Sequence, residues 1–451
     1  MTDPATLIEW DRRHLWHPFT QMADWVQDEP LVVAAAEGCT LIDTAGRRYL
    51  DGVSSLWCNV HGHRHPRLDA ALRAQIERVA HTTLLGLGSV PSIELAHALV
   101  DVVPRGLTRV FYSDAGATAV EAALRIALQY HHLHGAPGRV RFASLVEGYH
   151  GDTLGAVGVG YSETYHRFVE GAIRPAVRLT PPHVFRWQRG MEAENALAAA
   201  LDEAEATLAT HAASLAALVV EPLVQGAAGM WIHPPRYLAR LAELARHHGM
   251  LLIADEVATG FGSTGTMFAC EQAGVTPDLL CIAKGLSGGY LPLAATLATE
   301  EVFAAFLAPY EDFRAFFHGH TFTGNALACA VALASLRVFE EERTLERLGP
   351  KIARLHERLV GEIAPLRHTG EVRQQGVMVG IELVAERDGR APYPADARIG
   401  QRVVKAARAR GVVVRPLGNV IVLMPPLAIS MADLDRLVDV VRDAIVDVTD
   451  T

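Results

Sequence analysis

The segment Asp278-Leu-Leu-Cys-Ile-Ala-Lys284-Gly285 follows Leu251-Leu-Ile-Ala-Asp255-Glu256 by about one strand–helix–strand unit, and these two segments are the most informative part of the chain. Each apolar run has the length of a buried strand and ends in an ionisable residue. Neighbouring parallel strands place their carboxyl ends at one edge of a sheet, where open α/β sheets bind ligands. We therefore expect the amine of Lys284 and the carboxylate of Asp255 to face one site.

A lysine and an aspartate at one sheet edge have two interpretations. A charge at a strand end usually marks only the point where the strand reaches solvent. In a ligand site, however, a lysine can form a Schiff base, and an aspartate can keep a pyridine nitrogen protonated, which makes the ring an electron sink. Proteins tune pyridoxal 5′-phosphate in this way. Together with the motifs below, the pair predicts an enzyme that uses this cofactor on small-molecule substrates.

Helical and strand patterns alternate along the chain, which predicts an α/β fold with a mainly parallel sheet and helices on both faces. Predicted helices cover 92–103, 118–131 and 191–211, and predicted strands cover 109–112, 140–145, 216–221, 250–254, 279–283 and, antiparallel, 292–299. A helical pattern at 322–363 precedes a strand at 376–383, a helix at 397–410, a strand at 412–415 and a final helix that starts at Ser430 like a capping box. We predict a large cofactor-binding domain (66–330) and a small domain built from 331–451 and the N-terminal segment 1–65.

Composition excludes several classes of protein. The 451 residues are 50% hydrophobic and 20% charged, and the formal net charge of -10 argues against nucleic acid as a partner. Apolar runs are too short to span a membrane, and the N-terminus lacks a signal-peptide core, so we expect a cytoplasmic protein. The five scattered cysteines include no C-x-x-C pair and predict buried, reduced thiols.

Three loops offer further contacts to a phosphorylated aromatic ligand. The stretch Phe111-Tyr-Ser-Asp114-Ala-Gly116-Ala117-Thr118 places small residues between a strand and a helix, where backbone N–H groups can face a phosphate. On its own it would be interpreted as a tight turn. Tyr149 follows the next strand and could cover an aromatic ring. The loop that begins at His318 adds hydroxyl and imidazole groups that suit phosphate, at His320 and Thr321.

Other sites are not expected. The histidines at 61, 63 and 65, and those at 131, 132 and 134, are interpreted as solvated loop or helix-end residues, so no metal site is assigned. Gly285-Leu-Ser287-Gly-Gly289 matches the G-x-S-x-G elbow of hydrolases, but that elbow needs a helix after the serine, and here a turn runs into a strand. The glycines at 155, 158 and 160 lack the spacing of a dinucleotide loop.

The chain resembles the class III, fold-type I aminotransferases over nearly its full length, and Ala254-Asp-Glu-Val-Ala-Thr-Gly-Phe-Gly262 with Lys284 is a highly specific signature. Five more segments are similar to the branch of this family that, in biotin biosynthesis, aminates 7-keto-8-aminopelargonate (8-amino-7-oxononanoate) to 7,8-diaminopelargonate. These segments are Leu15-Trp-His-Pro-Phe-Thr20, Asp51-Gly-Val-Ser-Ser-Leu-Trp57, His61-Gly-His63, Gly148-Tyr-His-Gly-Asp152 and Arg415-Pro-Leu-Gly418. The resemblance implies a homodimer with shared active sites.

The resemblance also implies a role for each matching residue. Lys284 would form the Schiff base and then move a proton, and Asp255 would hold the ring nitrogen. The other implied roles are phosphate contacts from Gly116, Ala117 and, from the other subunit, His320 and Thr321; ring stacking by Tyr149; and substrate contacts from Trp57, Tyr149, Gly319 and, for a carboxylate, Arg415.

Four positions leave the amino donor open. Family members that use S-adenosylmethionine commonly show HPYT, a Trp-Trp pair, GFGRTG and a tyrosine after the pocket arginine. This chain has Phe19, Leu56, Ser263 and Val422 at those places, and Ala117 replaces a serine. The segments Gly288-Gly-Tyr-Leu-Pro292 and Tyr393-Pro-Ala-Asp396 are similar to the lysine-using branch, so the predicted donor is S-adenosylmethionine or L-lysine.

Two alternative functions remain at this stage. An ω-amino acid:pyruvate aminotransferase would share the same chemistry but would use alanine or pyruvate. A non-catalytic protein would use the fold only to bind a ligand or partner, and its ligand response would survive Lys284→Ala. The intact pair of Lys284 and Asp255 argues against the second alternative.

Overall fold

The computed structural model describes residues 2–450. In this range the strands are, in chain order, β1 (Val33–Glu37), β2 (Thr40–Asp43), β3 (Arg48–Asp51), β4 (Leu107–Ser113), β5 (Arg141–Leu145), β6 (Val177–Leu179), β7 (Leu215–Val220), β8 (Val224–Gln225), β9 (Trp231–Ile232), β10 (Leu251–Asp255), β11 (Leu279–Ile282), β12 (Ala294–Thr299), β13 (Thr369–Gln375), β14 (Met378–Glu386), β15 (Ala391–Pro392), β16 (Val412–Val413), β17 (Arg415–Leu417) and β18 (Val420–Leu423).

The α-helices are α1 (Pro4–His14), α2 (Met22–Trp25), α3 (Ser54–Trp57), α4 (Pro66–Ile76), α5 (Val90–Val102), α6 (Gly116–Leu133), α7 (Leu154–Val159), α8 (Glu163–His166), α9 (Ala193–His211), α10 (Pro235–His247), α11 (Glu300–Ala304), α12 (Ala326–Glu341), α13 (Thr344–Arg358), α14 (Ile399–Ala409) and α15 (Met431–Thr449). Within the described part of the chain, no helix is both long and apolar enough to cross a membrane.

A seven-stranded sheet in the order β4-β12-β11-β10-β7-β5-β6 forms the centre of the molecule. Strands β6, β5, β7, β10 and β11 pair in parallel, whereas β12 is antiparallel to both of its neighbours. Every residue of β7, β10 and β11 is buried, as expected of parallel strands covered on both faces. The predicted α/β fold, with one antiparallel strand at 292–299, is confirmed.

The residues of β10 alternate between two hydrophobic cores. Leu252 and Ala254 pack in the core that includes α5, α10 and α12, while Leu251 and Ile253 pack in the core that includes α6 and α7. This alternation follows from the two-residue period of a strand. Because both faces are covered, only the strand ends remain open for a site.

The two ends of the chain meet in a second region. Strand β16 pairs in parallel with β3, which extends the N-terminal sheet to the order β1-β2-β3-β16. Strands β13, β14, β18 and β17 form another sheet, which α14 and α15 cover. The hydroxyl of Ser430 accepts the Asp433 N–H at 3.0 Å and caps α15, whose Leu434, Leu437 and Val441 are buried. Each such burial contributes roughly 1.5–3 kcal/mol.

Two elements that were predicted to be continuous are each divided in the structure. The helical pattern at 322–363 divides into α12 and α13, because Arg343 adopts a left-handed φ of 52° and redirects the chain. The helix α12 packs against α4 and α5, while α13 packs against α15. The predicted strand at 412–415 divides into β16 and β17, which join different sheets.

The interpretation of the two histidine clusters as solvated is wrong for His61 and His131. Both are buried, and they lie 3.0 Å from the Ser335 hydroxyl and 2.8 Å from the Ala216 carbonyl oxygen. His132 and His134 are exposed, as predicted. Among the cysteines, Cys270, Cys281 and Cys329 are buried as predicted, but Cys39 and Cys58 are only half-buried. Short sequence patterns do not reveal these contacts, because the partners come from distant segments.

Candidate active site

A cavity of about 720 Å³ lies at the carboxyl edge of the central sheet. Five strands deliver residues to its wall, because the loops after β4, β5, β7, β10 and β11 all open on this edge. Six predicted site residues line the cavity, namely Trp57, Gly116, Ala117, Tyr149, Asp255 and Lys284. The prediction that Asp255 and Lys284 would face one site is confirmed.

Lys284 lies two residues beyond the end of β11, in a backbone conformation with a φ of 44°. Its Nζ lies 5.1 Å from the centre of the Trp57 ring, within cation–π distance. Burial lowers the pKa of the Lys284 amine, while the nearby carboxylates of Asp255 and Glu221 oppose that shift. A larger fraction of the amine is therefore neutral and nucleophilic than for an exposed lysine.

Asp255 ends β10 and is held by two contacts. Its Oδ2 lies 2.7 Å from Nδ1 of His150, and its Oδ1 accepts the Val257 N–H at 3.0 Å. Both side chains are buried. The imidazole of His150 fixes the orientation of the Asp255 side chain, which lines the cavity.

Glu221 follows β7 directly and lines the same cavity. Its Oε1 accepts the Tyr149 N–H at 3.0 Å, and its Oε2 accepts the Gly226 N–H at 2.9 Å. Burial raises the pKa of this carboxyl to about 7, although His150 and the two N–H groups favour the charged form. The Glu221 side chain thus links the loop that contains Tyr149 to the loop that contains Gly226.

The first turn of α6 forms another part of the wall. Thr118 fixes this turn, because its hydroxyl accepts the Ala115 N–H at 3.0 Å and donates to the Ala115 carbonyl oxygen at 2.8 Å. The N–H groups of Gly116 and Ala117 belong to the first turn, where the helix itself offers no acceptor. With the helix dipole, they form a site suited to an anion.

Tyr149 presents an aromatic ring to the cavity. Its hydroxyl donates to Oδ2 of Asp152 at 2.7 Å, and its backbone N–H is held by Glu221. Burial raises the pKa of the phenol, and the bond to Asp152 adds to this shift. Tyr149 is therefore a neutral, fixed aromatic surface rather than a proton donor that titrates near neutrality.

Trp57 lies in a strained turn. Ser54, Ser55 and Trp57 all adopt left-handed φ values, of 50°, 62° and 62°. Buried Asp51 stabilises the turn by accepting the Ser55 N–H at 2.8 Å, and Ser54 donates to the Met424 carbonyl oxygen at 2.6 Å. Such strain costs about 1–3 kcal/mol per residue and is often found at functional sites.

Arg415 begins β17 and is half-buried, but it does not line the cavity. Its charge acts on Tyr149 and Lys284, whose pKa values it helps to lower. Within residues 2–450, its guanidinium has neither an ion pair nor a hydrogen bond. An unpaired guanidinium beside a cavity is suited to binding a carboxylate.

The predicted loop residues Gly319, His320 and Thr321 do not line the cavity of their own chain. Instead, Nδ1 of His320 lies 2.9 Å from Oδ2 of Asp114, which precedes the first turn of α6. Thr321 is exposed, and its carbonyl oxygen lies 2.8 Å from Nε2 of His81. Their implied contact with the other subunit stays a prediction.

The sequence alone does not assign a role to His150 or Glu221. Glu221 ends an apolar run of strand length, as Asp255 does, and this is the signal that could have identified it. His150 lies within a quoted motif, yet only the folded chain brings it to Asp255. Cys58, which was expected to be buried, also lines the cavity.

Comparison with known proteins identifies the family. The family model described as "Aminotransferase class-III" matches residues 21–445. The chain is 57% identical to the adenosylmethionine-8-amino-7-oxononanoate aminotransferase of Nitratidesulfovibrio vulgaris, over 99% of this chain and 82% of that protein. It is 48% identical to the enzyme of the same name from Geobacter sulfurreducens, over 99% of both chains.

Solved structures agree with this result. The crystal structure of the adenosylmethionine-8-amino-7-oxononanoate aminotransferase of Methanocaldococcus jannaschii has a TM-score of 0.93 and 42% identity, and covers 99% of both chains. An (S)-enantioselective omega-transaminase from Thermomicrobium roseum has a TM-score of 0.94 and 36% identity, again over 99% of both chains. This chain belongs to the class III aminotransferases and has their fold-type I architecture.

Proposed function

We propose that this enzyme uses pyridoxal 5′-phosphate to aminate 8-amino-7-oxononanoate to 7,8-diaminopelargonate in biotin biosynthesis. The observation that carries the proposal is that Lys284 and Asp255, from neighbouring strands, line one cavity with the first turn of α6. Relatives 57% and 48% identical over nearly the whole chain bear the name of this reaction, which supports the choice of acceptor. A cytoplasmic location suits an enzyme of small metabolites.

The residues of the cavity fit this cofactor. Gly116 and Ala117 would bind its phosphate through their N–H groups, Tyr149 would stack on its ring, and Asp255 would hold its ring nitrogen. A Cβ at Gly116 would come within 2.7 Å of Val257 Cγ1, so the close approach of these elements requires glycine. When bound, the cofactor supplies an electron sink, and it carries the amino group from the first half-reaction to the second.

The protein's own groups would then bind the substrates and move protons. The neutral amine of Lys284 would take a proton from the carbon that carries the donor nitrogen and return a proton to the acceptor carbon. Buried His150 would hold the Asp255 carboxyl group in a fixed orientation. Arg415 would bind the carboxylate at the far end of the acceptor. Trp57 would line the path of the acceptor, and Gly319 would do so from the loop of the second subunit.

We also propose a homodimer with shared active sites. Leu85, Leu87, Phe317 and Phe322 are between 58% and 90% exposed. The segments that carry them adjoin each other, since His81 lies 2.8 Å from the Thr321 carbonyl oxygen. Exposed apolar surface of this kind marks an interface. A second copy of the chain, bound at this surface, would bring its own His320 and Thr321 to the cofactor phosphate of the first copy.

The absorbance spectrum of the purified protein with pyridoxal phosphate tests this function and its amino donor. S-adenosylmethionine, L-lysine and L-alanine are added separately, and we expect one of the first two to remove the absorbance band of the lysine-bound cofactor. The sample should then convert 8-amino-7-oxononanoate. Lys284→Ala is the matched control, and it should never show that band, because it lacks the amine.

The same experiment addresses a second candidate. Similarity to the omega-transaminase of Thermomicrobium roseum, with 36% identity and a TM-score of 0.94, favours a general ω-amino acid:pyruvate aminotransferase. Conversion by L-alanine alone, with no activity on 8-amino-7-oxononanoate, would establish that candidate. Absence of the lysine-bound band in the wild-type protein would contradict the cofactor assignment.

A further inference from the structure

Four carboxylates line the cavity, and three of them are already paired with side chains. Asp255 is paired with His150 at 2.7 Å, and Asp114 with His320 at 2.9 Å. Asp152 accepts the Tyr149 hydroxyl at 2.7 Å and also lies 3.4 Å from His166.

Glu221 differs from these three. In the part of the chain that the structure describes, both of its oxygens accept only backbone N–H groups, from Tyr149 and Gly226. A carboxylate oxygen can accept more than one hydrogen bond, so Glu221 keeps free acceptor capacity. A buried carboxylate that forms no ion pair gains most from a cation that a ligand brings.

The position of Glu221 defines which part of a ligand it would meet. The side chain is only 6% exposed, lines the cavity with Lys284, and acts electrostatically on that amine. Gly226 lies between Glu221 and the Trp57 ring, since a Cβ there would come 3.2 Å from Trp57 and 3.9 Å from Oε2 of Glu221. A cation at Glu221 would therefore be next to the reacting carbon and beside an aromatic wall.

We infer that Glu221 binds the ammonium group that the acceptor carries next to its ketone, and so selects amino-ketones over simple keto acids. The inference rests on the proposed function, whose acceptor has an ammonium beside the carbonyl and a carboxylate at the other end. These two charges match the two unpaired groups, Glu221 and Arg415. Selection by a charged hydrogen bond is effective because an acceptor without the amine leaves the carboxylate unpaired.

The test compares two ketones as acceptors for the holoenzyme, with whichever of S-adenosylmethionine and L-lysine removes the absorbance band of the lysine-bound cofactor as the donor. 8-Amino-7-oxononanoate carries the amine, and 7-oxononanoate lacks only that group. The wild-type enzyme should prefer the amino-ketone in kcat/KM, and Glu221→Gln should lower that preference by about 10- to 100-fold. The ratio is the readout, because damage to the backbone contacts of Glu221 affects both ketones.

Glu256→Gln is the matched control. Glu256 is also a fully buried carboxylate that accepts two backbone N–H groups, from Ala269 at 2.7 Å and Cys270 at 2.8 Å, but it does not line the cavity. We expect this variant to keep the wild-type ratio. An equal loss of kcat/KM for both ketones in Glu221→Gln would overturn the inference. Glu221 would then have only the structural role of holding the Tyr149 and Gly226 N–H groups. Absence of wild-type activity on the amino-ketone would instead contradict the proposed function.

Discussion

At the scale of single residues, burial controls how three histidines titrate. It lowers the pKa of His61 to about 3, of His183 to about 3 and of His233 to about 4. An unfolded chain binds protons at these positions below pH 6.5, whereas the folded chain does not. Their contribution to stability is therefore present above that pH and lost as the pH falls toward 4.

His183→Phe should reduce this loss of stability in acid. The His183 ring stacks on Trp231 at 4.3 Å between ring centres, which phenylalanine can preserve. Between pH 6.5 and 4.5 the variant should lose about 2 kcal/mol less free energy of unfolding than the wild-type protein. Urea denaturation of the apoprotein at each pH measures the difference. An unchanged pH dependence would show that His183 is protonated in the folded protein.

A control variant and a comparison at equal pH separate the effect of His183 from that of other titrating groups. His132 is exposed on α6, so His132→Gln is the control for removing one histidine without changing the core. Glu221 and Glu256 act in the opposite direction, because burial raises the pKa of each to about 7. Their contribution is present below pH 4.5 and lost as the pH rises toward 7. Comparing variants at the same pH cancels these contributions.

Single residues also show how far the sequence predicts the site. Lys284 and Asp255 could be placed because strand ends converge on one edge, which depends only on the alternation of apolar runs. The partners His150 and Asp114 could not be placed, because each contact joins two segments that are far apart in the sequence. The burial of His61 depends in the same way on distant Ser335.

At the scale of elements, period and turn signals identified the long helices and central strands but not where the chain changes direction. No glycine or proline marks the break at Arg343, so the helical pattern continues across it. The division between β16 and β17 arises because Val412 and Val413 pair with β3, more than three hundred residues earlier. Long-range pairing of this kind leaves no local signal in the sequence.

Close packing between elements predicts opposite effects for two glycines of the C-terminal region. A Cβ at Gly400, in α14, would overlap the carbonyl oxygen of Gly418 in the turn between β17 and β18. Gly400→Ala should therefore lower the free energy of unfolding by about 1–3 kcal/mol. Gly361 lies in a helical turn after α13 with open space around it, so Gly361→Ala should raise it by up to about 1 kcal/mol.

Thermal denaturation of the two variants beside the wild-type protein checks this pair. Both substitutions add one methyl group to a helical glycine, so the contrast isolates the contact with Gly418. A similar midpoint of thermal denaturation for Gly400→Ala and Gly361→Ala would show that the turn between β17 and β18 shifts without loss of stability. Since Arg415 begins β17, a shifted turn should also raise KM for the carboxylate substrate.

At the scale of the whole molecule, the chain ends meet through the pairing of β16 with β3, which is consistent with an N-terminal segment that joins the small domain. The limits of the domains at 65 and 330 stay a prediction. The helix α12 spans the second limit and packs against α4 and α5. The larger question at this scale is whether each cavity is completed by a second chain.

The loop with His320 distinguishes the two possibilities. In one chain His320 is paired with Asp114, close to that chain's own cavity, whereas the proposed dimer brings His320 and Thr321 to the partner's phosphate site. Co-expression of two differently tagged variants, Lys284→Ala and a double variant His320→Ala/Thr321→Ala, gives heterodimers that can be isolated through both tags. Lys284→Ala homodimers have no activity, and the double variant should bind the cofactor weakly.

Shared sites predict that the isolated heterodimer recovers activity. One of its two cavities then combines an intact Lys284 with an intact loop from the partner, and about half of the wild-type activity returns at limiting cofactor. If the loop instead contributed to the cavity of its own chain, each cavity of the heterodimer would contain one altered component, and activity would stay low. A monomeric mass in solution for the wild-type protein would contradict the dimer itself. Recovery would therefore establish that each cavity is completed by the loop of the second chain.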